Sequence, residues 1–136
     1  MKFDAIFFEQ ILGLFEGITI QHIGTLKAKV DTGNSAYNVL HGIVKSMEDG
    51  KVTFTTVNNK TLTLPVSEVI KIHIGSGNKE DRPVVKLDCS IGTEQFNQVP
   101  FSLGDRSEND TPVLLGEDFI KQNGGVVNLN INKRLG

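Results

Sequence analysis

The sequence predicts an all-β fold, a closed or sandwiched sheet carrying one or two minor helices. Three observations predict it. From Gly17 onward apolar residues recur at a period of about two. The alternating runs are short and are separated by Gly, Asn and Asp, the residues that turn a chain back on itself. Only two segments, one near each end, have helical spacing or helical stop signals.

Taken in order, Phe8, Ile11, Leu12 and Phe15 stand at i, i+3, i+4 and i+7, which predicts a short amphipathic helix within an N-terminal extension, residues 1–15. The domain proper is then 16–136. Ile18, Ile20 and Ile23, followed by Leu26, Ala28 and Val30, read as short strands. Val52, Phe54 and Thr56 alternate after an Asp49-Gly50 turn, and Leu62, Leu64 and Val66 alternate after Asn58-Asn59, so this stretch is a run of hairpins. Val69–Ile74 and Pro83–Leu87 are strands around the glycine-rich tip Gly75-Ser76-Gly77-Asn78. A further hairpin turns at Gly92, and a polar loop runs from Gly104 to Thr111. Val113-Leu114-Leu115-Gly116 leads into a short helix over Glu117–Gln122, which Asn123-Gly124-Gly125 would stop. Val126, Val127, Leu129 and Ile131 make a last strand.

Composition narrows the function classes. The chain has 136 residues, 38% hydrophobic and 22% charged, enough for one domain with a core that needs neither disulfides nor a structural metal. Its net charge is −2 and its Lys and Arg form no stripe or cluster, so the basic footprint of a nucleic-acid binder is missing. No apolar run is long enough to span a membrane. The single cysteine, Cys89, cannot form an internal disulfide and reads as a small buried hydrophobe; with no secretory leader evident, a cytoplasmic location is expected. No cofactor and no metal are expected. His22, His41 and His73 are dispersed, no paired-cysteine or His-Glu-x-x-His spacing occurs, and no phosphate-binding Gly-x-x-x-x-Gly-Lys-Ser/Thr loop is present. Each histidine is expected to be a surface or hydrogen-bonded residue.

One constellation carries chemistry. Asp31-Thr32-Gly33 follows the apolar strand that ends at Val30, which puts a carboxylate at a tight turn that glycine permits. Taken singly, such a triplet is more often a plain turn. Behind it, in order, come the hairpin tipped by Gly75-Ser76-Gly77 and the segment Val113-Leu114-Leu115-Gly116.

That order resembles the retroviral-type aspartic proteases: catalytic triplet, flap hairpin, then an apolar-apolar-Gly segment running into a helix. More narrowly, Ala28-Lys29-Val30-Asp31-Thr32-Gly33, Leu40-His41, Arg82-Pro83-Val84-Val85, Asp105-Arg106 and Pro112-Val113-Leu114-Leu115-Gly116 resemble the bacterial and phage family labelled ATP-dependent zinc proteases. The likeness spans roughly Glu16 to Leu129. It implies a closed six- to seven-stranded acid-protease barrel with a short C-terminal helix and an N-terminal helix. It also implies an aspartic endopeptidase in which Asp31 is catalytic and Thr32, Gly33 and Asn34 shape its loop. Ile74, Gly75, Ser76 and Gly77 would form the flap over an extended polypeptide substrate, with Leu114, Leu115 and Gly116 as supporting core. One triplet per chain implies a homodimer, since the second aspartate must come from a second copy.

Two positions depart from the family pattern. Glu117 follows Leu114-Leu115-Gly116 where an arginine is usual, and a carboxylate cannot make the planar fork that arginine makes. Asn34 follows the triplet where alanine or serine is usual. These changes keep a second reading open, a catalytically inactive module of the same fold that binds a partner protein, for example in a phage particle or a larger complex. A third is a ligand-binding barrel without chemistry.

Overall fold

The computed structural model describes residues 15–30, 37–73, 75, 77–116 and 119. Among these residues the strands are β1 (Phe15–Ile20), β2 (Gly24–Val30), β3 (Asn38–Glu48), β4 (Lys51–Thr56), β5 (Thr61–Pro65), β6 (Glu68–His73), β7 (Lys79–Ile91), β8 (Glu94–Gly104) and β9 (Val113–Leu115). The expected C-terminal helix, Phe119 excepted, and the expected last strand, 126–131, lie outside the described residues; of the expected N-terminal helix only Phe15 is described, and it is not helical but opens β1, paired with Lys29.

The strands form where side chains alternate between a dry and a wet side. In β2 Ala28 and Val30 are buried while Lys27 and Lys29 are exposed. In β4 Val52, Phe54 and Thr56 are buried between half-covered or exposed neighbours. Asp49 and Gly50 both take positive φ, 53° and 75°, as a two-residue hairpin loop requires, and Glu48 pairs with Lys51 across it. Ile23, which the sequence placed among strand residues, sits in the turn between β1 and β2 and is still buried. The β4–β5 hairpin closes over it: Asn58 Nδ2 and Lys60 Nζ donate to the Ile23 carbonyl at 2.9 and 3.1 Å.

Six strands close into a ring in the order β3-β8-β7-β1-β2-β9, and β9 pairs back with β3. The ring is a mixed barrel, with β2–β9 and β3–β8 parallel and the other pairs antiparallel. It matches the all-β, acid-protease-like fold that the sequence predicted. Strands β4 and β5 extend the sheet beyond β3, and β6 adds to β7 outside the ring. Two elements are larger or more regular than expected. The run read as Pro83–Leu87 belongs to a strand of 13 residues that pairs with β6, β8 and β1, and Val113–Leu115, read as core, is itself a strand.

A register shift between Leu87 and Cys89 lets β7 serve these partners. Asp88 fills the irregularity: its carboxylate accepts the N–H of Gln98 at 2.8 Å, where Gln98 takes φ of 53°. The hydrophobic core holds Ile18, Ile20, Leu40, Phe54, Leu87, Ile91, Phe101, Leu103 and Leu115, all fully buried. Each such side chain contributes about 1.5–3 kcal/mol by leaving water, before chain entropy is subtracted. Among the described residues no helix is long and apolar enough to cross a membrane.

Candidate active site

The expected catalytic segment joins β2 to β3. Asp31, Thr32, Gly33 and Asn34 lie outside the described residues, as do Ile74, Ser76 and Glu117, but the strands to which they attach are described. β9 lies between β2 and β3, parallel to the first and antiparallel to the second. Val30, the residue before Asp31, pairs with Leu115, while Val39 pairs with Leu114. Val113 and Leu115 are fully buried, Leu114 partly so, and Gly116 is buried. Two of the expected segments, the end of β2 and Leu114-Leu115-Gly116, are thus side by side.

Asn38, at the start of β3, holds this junction and was not singled out from the sequence. It is 5% exposed. Its Nδ2 donates to the Pro100 carbonyl at 3.0 Å, and its Oδ1 accepts the N–H of Gly116 at 2.9 Å. Its own carbonyl accepts the Ser102 hydroxyl at 3.1 Å. An asparagine at the border of an apolar run looks like a loop residue in one dimension; only its packing makes it a buried bridge.

The family-like residues scattered along the sequence also converge. The N–H of His41 donates to the Pro112 carbonyl at 2.7 Å, and its Nδ1 accepts the N–H of Arg106 at 2.9 Å. The Arg106 Nε donates to the Thr111 carbonyl at 2.8 Å, and the Thr111 hydroxyl donates to the Val113 carbonyl at 2.9 Å. This chain of bonds fastens the 105–112 loop to the start of β9. Burial, and next the charge of Arg82, hold the Arg106 guanidinium below its ordinary pKa.

Asp105 Oδ1 stands 3.9 Å from His41 Nδ1, but that nitrogen already accepts the Arg106 N–H, so the two do not form an ion pair. The Asp105 carboxyl is held below its usual range chiefly by the Ser107 hydroxyl and then by the Ser107 N–H, at 2.6 and 2.9 Å. Arg82 donates through Nε to Glu80 at 2.6 Å and lays its guanidinium over Gly104, where a Cβ would stand 3.0 Å away. Here β8 ends, leaving a cleft of about 300 Å³ between β3 and β7 with Ile43, Arg82 and Asp105 on its walls.

The hairpin expected as a flap is β6–β7, paired from Glu68↔Val84 to His73↔Lys79. Gly75 and Gly77 at its tip are exposed, and Gly77 takes φ of 84°. The hairpin is joined across its exposed face by Lys71 Nζ and Asp81 Oδ1 at 2.8 Å. Such a pair contributes at most about 1 kcal/mol.

Of the histidines, His41 is buried and hydrogen-bonded, while His22 and His73 are exposed. No group of three or more His, Cys, Asp or Glu among the described residues is placed to hold a metal ion. Cys89 is buried in β7, and burial, with the Asp88 charge second, pushes its thiol up to about 12.

Comparison with known proteins agrees with this arrangement. Among solved structures, a crystal structure of a protein with unknown function from Legionella pneumophila is 27% identical, with a TM-score of 0.64 over 79% of this chain and 84% of that chain. No curated protein matches. The model of the RimB-like family, described as retropepsin-like aspartic endopeptidase RimB, matches residues 11–132. With nearly the whole length matched and the barrel closed around β9, the chain belongs to the RimB-like family of retropepsin-like proteins.

Proposed function

We propose that the chain is an aspartic endopeptidase of retropepsin type, working as a homodimer in which each copy supplies one Asp31-Thr32-Gly33. The observation that carries this reading is the placement of Val30 beside Leu115 in a chain of that family, so the triplet begins where β2 and β9 end together. Two aspartates about 3 Å apart share one proton, because both cannot ionise cheaply. One then acts as base on a water while its protonated partner polarises the scissile carbonyl, and the pair titrates as a unit. The proton leaves the water for the carboxylate as the new C–O bond forms, and a proton returns to the leaving nitrogen as the C–N bond breaks.

Thr32, Gly33 and Asn34 shape the loop around Asp31. Ile74, Gly75, Ser76 and Gly77 form a flap that covers an extended peptide and excludes water, with the substrate adding as a strand beneath it. Residues 1–15 are an extension to the 16–136 domain. The lone, buried Cys89 supports work in a reducing compartment.

Glu117 favours a second reading, an inactive module of the same fold that docks on a partner protein, because it replaces the arginine that usually ties these domains together. Sedimentation of the purified chain, run beside cleavage of a mixed peptide library from about pH 4 to 7 by the wild type and Asp31→Asn, separates the two. A dimer whose cleavage disappears in the variant supports the endopeptidase. A monomer inactive at every pH overturns it in favour of the docking module.

A further inference from the structure

β8 lies between β3 and β7, parallel to the first and antiparallel to the second, and it leaves the sheet before either neighbour ends. Its last pairs are His41↔Gly104 with β3 and Val84↔Ser102 with β7. Beyond them β3 runs on to Glu48, and β7 reaches back to Lys79. The Arg106 N–H, which would bond the Gly42 carbonyl if β8 continued, donates instead to His41 Nδ1 at 2.9 Å and turns the chain aside. The cleft of about 300 Å³ opens at this point, lined by three stretches of backbone, 42–44, 80–83 and 103–105.

Both flanking edges face the gap. The His41 N–H points to the β9 side, where it meets the Pro112 carbonyl, so alternation turns the Gly42 carbonyl and both backbone groups of Val44 the other way, into the gap. β4 does not cover them. The Thr56 N–H is spent on the Lys60 carbonyl, so Ile43↔Thr55 is the bonded pair and β4 lies on the β9 side of β3. On β7 the Val84 carbonyl accepts the Ser67 N–H on the β6 side, and counting back along the strand puts both backbone groups of Asp81 toward the gap. Among the described residues no strand pairs with these groups. Where β8 ends, the two edges stand one strand apart, about 10 Å, which is the width a single added strand fills.

Charge selects the occupant. Of the ionised side chains on the cleft walls, Arg82 is met by Glu80 at 2.6 Å and Asp81 by Lys71 at 2.8 Å. Asp105, at the inner end, is 62% exposed and bonded to Ser107, so its negative charge is left without a cation. Val44, 40% exposed, and half-buried Ile43 add apolar contact. We propose that this gap is a docking site for an extended, basic segment of a partner polypeptide, which adds as a strand on the line that β8 leaves. The docking goes beyond the proposed cleavage and does not depend on it.

The probe is the peptide acetyl-Lys-Val-Lys-Val-Lys-Val-amide, added to the full chain carrying Asp31→Asn so that cleavage cannot consume it. Amide NMR shifts and hydrogen exchange are read residue by residue. Shifts are expected along 42–44 and 80–83, and at saturation exchange of the Val44 and Asp81 amides should slow about tenfold or more. N-methylating alternate residues of the probe blocks one edge of the added strand and should weaken binding at least about tenfold. The probe with Glu in place of each Lys should not bind. Asp105→Lys should weaken binding about three- to tenfold, with the urea midpoint as a check on folding, and the altered probes carry the test if that variant does not fold. No binding, shifts without slowed exchange at Val44 and Asp81, or equal binding of the N-methylated or Glu probe overturns the proposal.

Discussion

The backbone N–H of Arg106 donates to Nδ1 of His41 across 2.9 Å, joining residues 65 apart in the chain. The bond requires an unprotonated Nδ1, and it ties the loop that feeds β9 to β3. Replacing His41 with Ala leaves a half-buried N–H without its partner, so a loss of about 1–3 kcal/mol is expected in urea unfolding. His41→Asn, whose Oδ1 can accept the same N–H, should recover part of that loss. Equal losses in the two variants would assign the effect to ring packing instead.

Gly42 sits where β3 passes the core. A Cβ there would stand 3.0 Å from Phe54 Cδ2 and 3.2 Å from Leu103 Cδ2, and both neighbours are buried. Gly42→Ala should cost about 1–3 kcal/mol and lower the Tm, since a packed ring and a packed leucine have little room to give. Gly75→Ala, with nothing within 4 Å of the added carbon, is the control and should stay within about 0.5 kcal/mol of wild type.

Cys89 should be silent toward thiol reagents at pH 8 in the folded protein and react only as the chain unfolds, because the native thiol is pushed up to about 12 from 9.0. The same shift makes stability depend on alkaline pH. Above pH 9 the unfolded chain releases this proton while the native chain keeps it, so the stabilisation is whole below pH 9 and declines as pH rises toward 12. The decline approaches about 1.4 kcal/mol per pH unit, and Cys89→Ala should remove it from the difference between two alkaline urea titrations.

Asp105 should titrate below an ordinary aspartate in a carboxyl NMR experiment, with Ser107→Ala moving its midpoint upward. The direction follows from the bonds. The Ser107 hydroxyl and N–H both donate to the ionised carboxylate, so the charged form is favoured in the folded state. The stabilisation is present above the unfolded-state pKa and is lost as pH falls through the lowered one. An unchanged midpoint in Ser107→Ala would overturn the Ser107 hydroxyl as the chief cause.

What the sequence by itself determined was local. Alternation in Leu26-Ala28-Val30 and Val52-Phe54-Thr56 requires one dry face, and Asp49-Gly50 requires a tight turn, so the hairpins and most of the core follow from contacts a few residues apart. The resemblance carried by Asp31-Thr32-Gly33 and Leu114-Leu115-Gly116 identified the family. Only the tertiary structure decided how the ring closes. A strand of three residues, Val113–Leu115, has no period that could name its partners, yet it pairs with β2 on one side and β3 on the other. Closure also turned Asn38 and Thr111, polar residues at strand borders, into buried bridges, and brought His41, Arg82, Asp105 and Arg106 to one place. These are long-range pairings whose energies come from excluding water around directed bonds, and a linear pattern records which residues can make such bonds but not which ones meet.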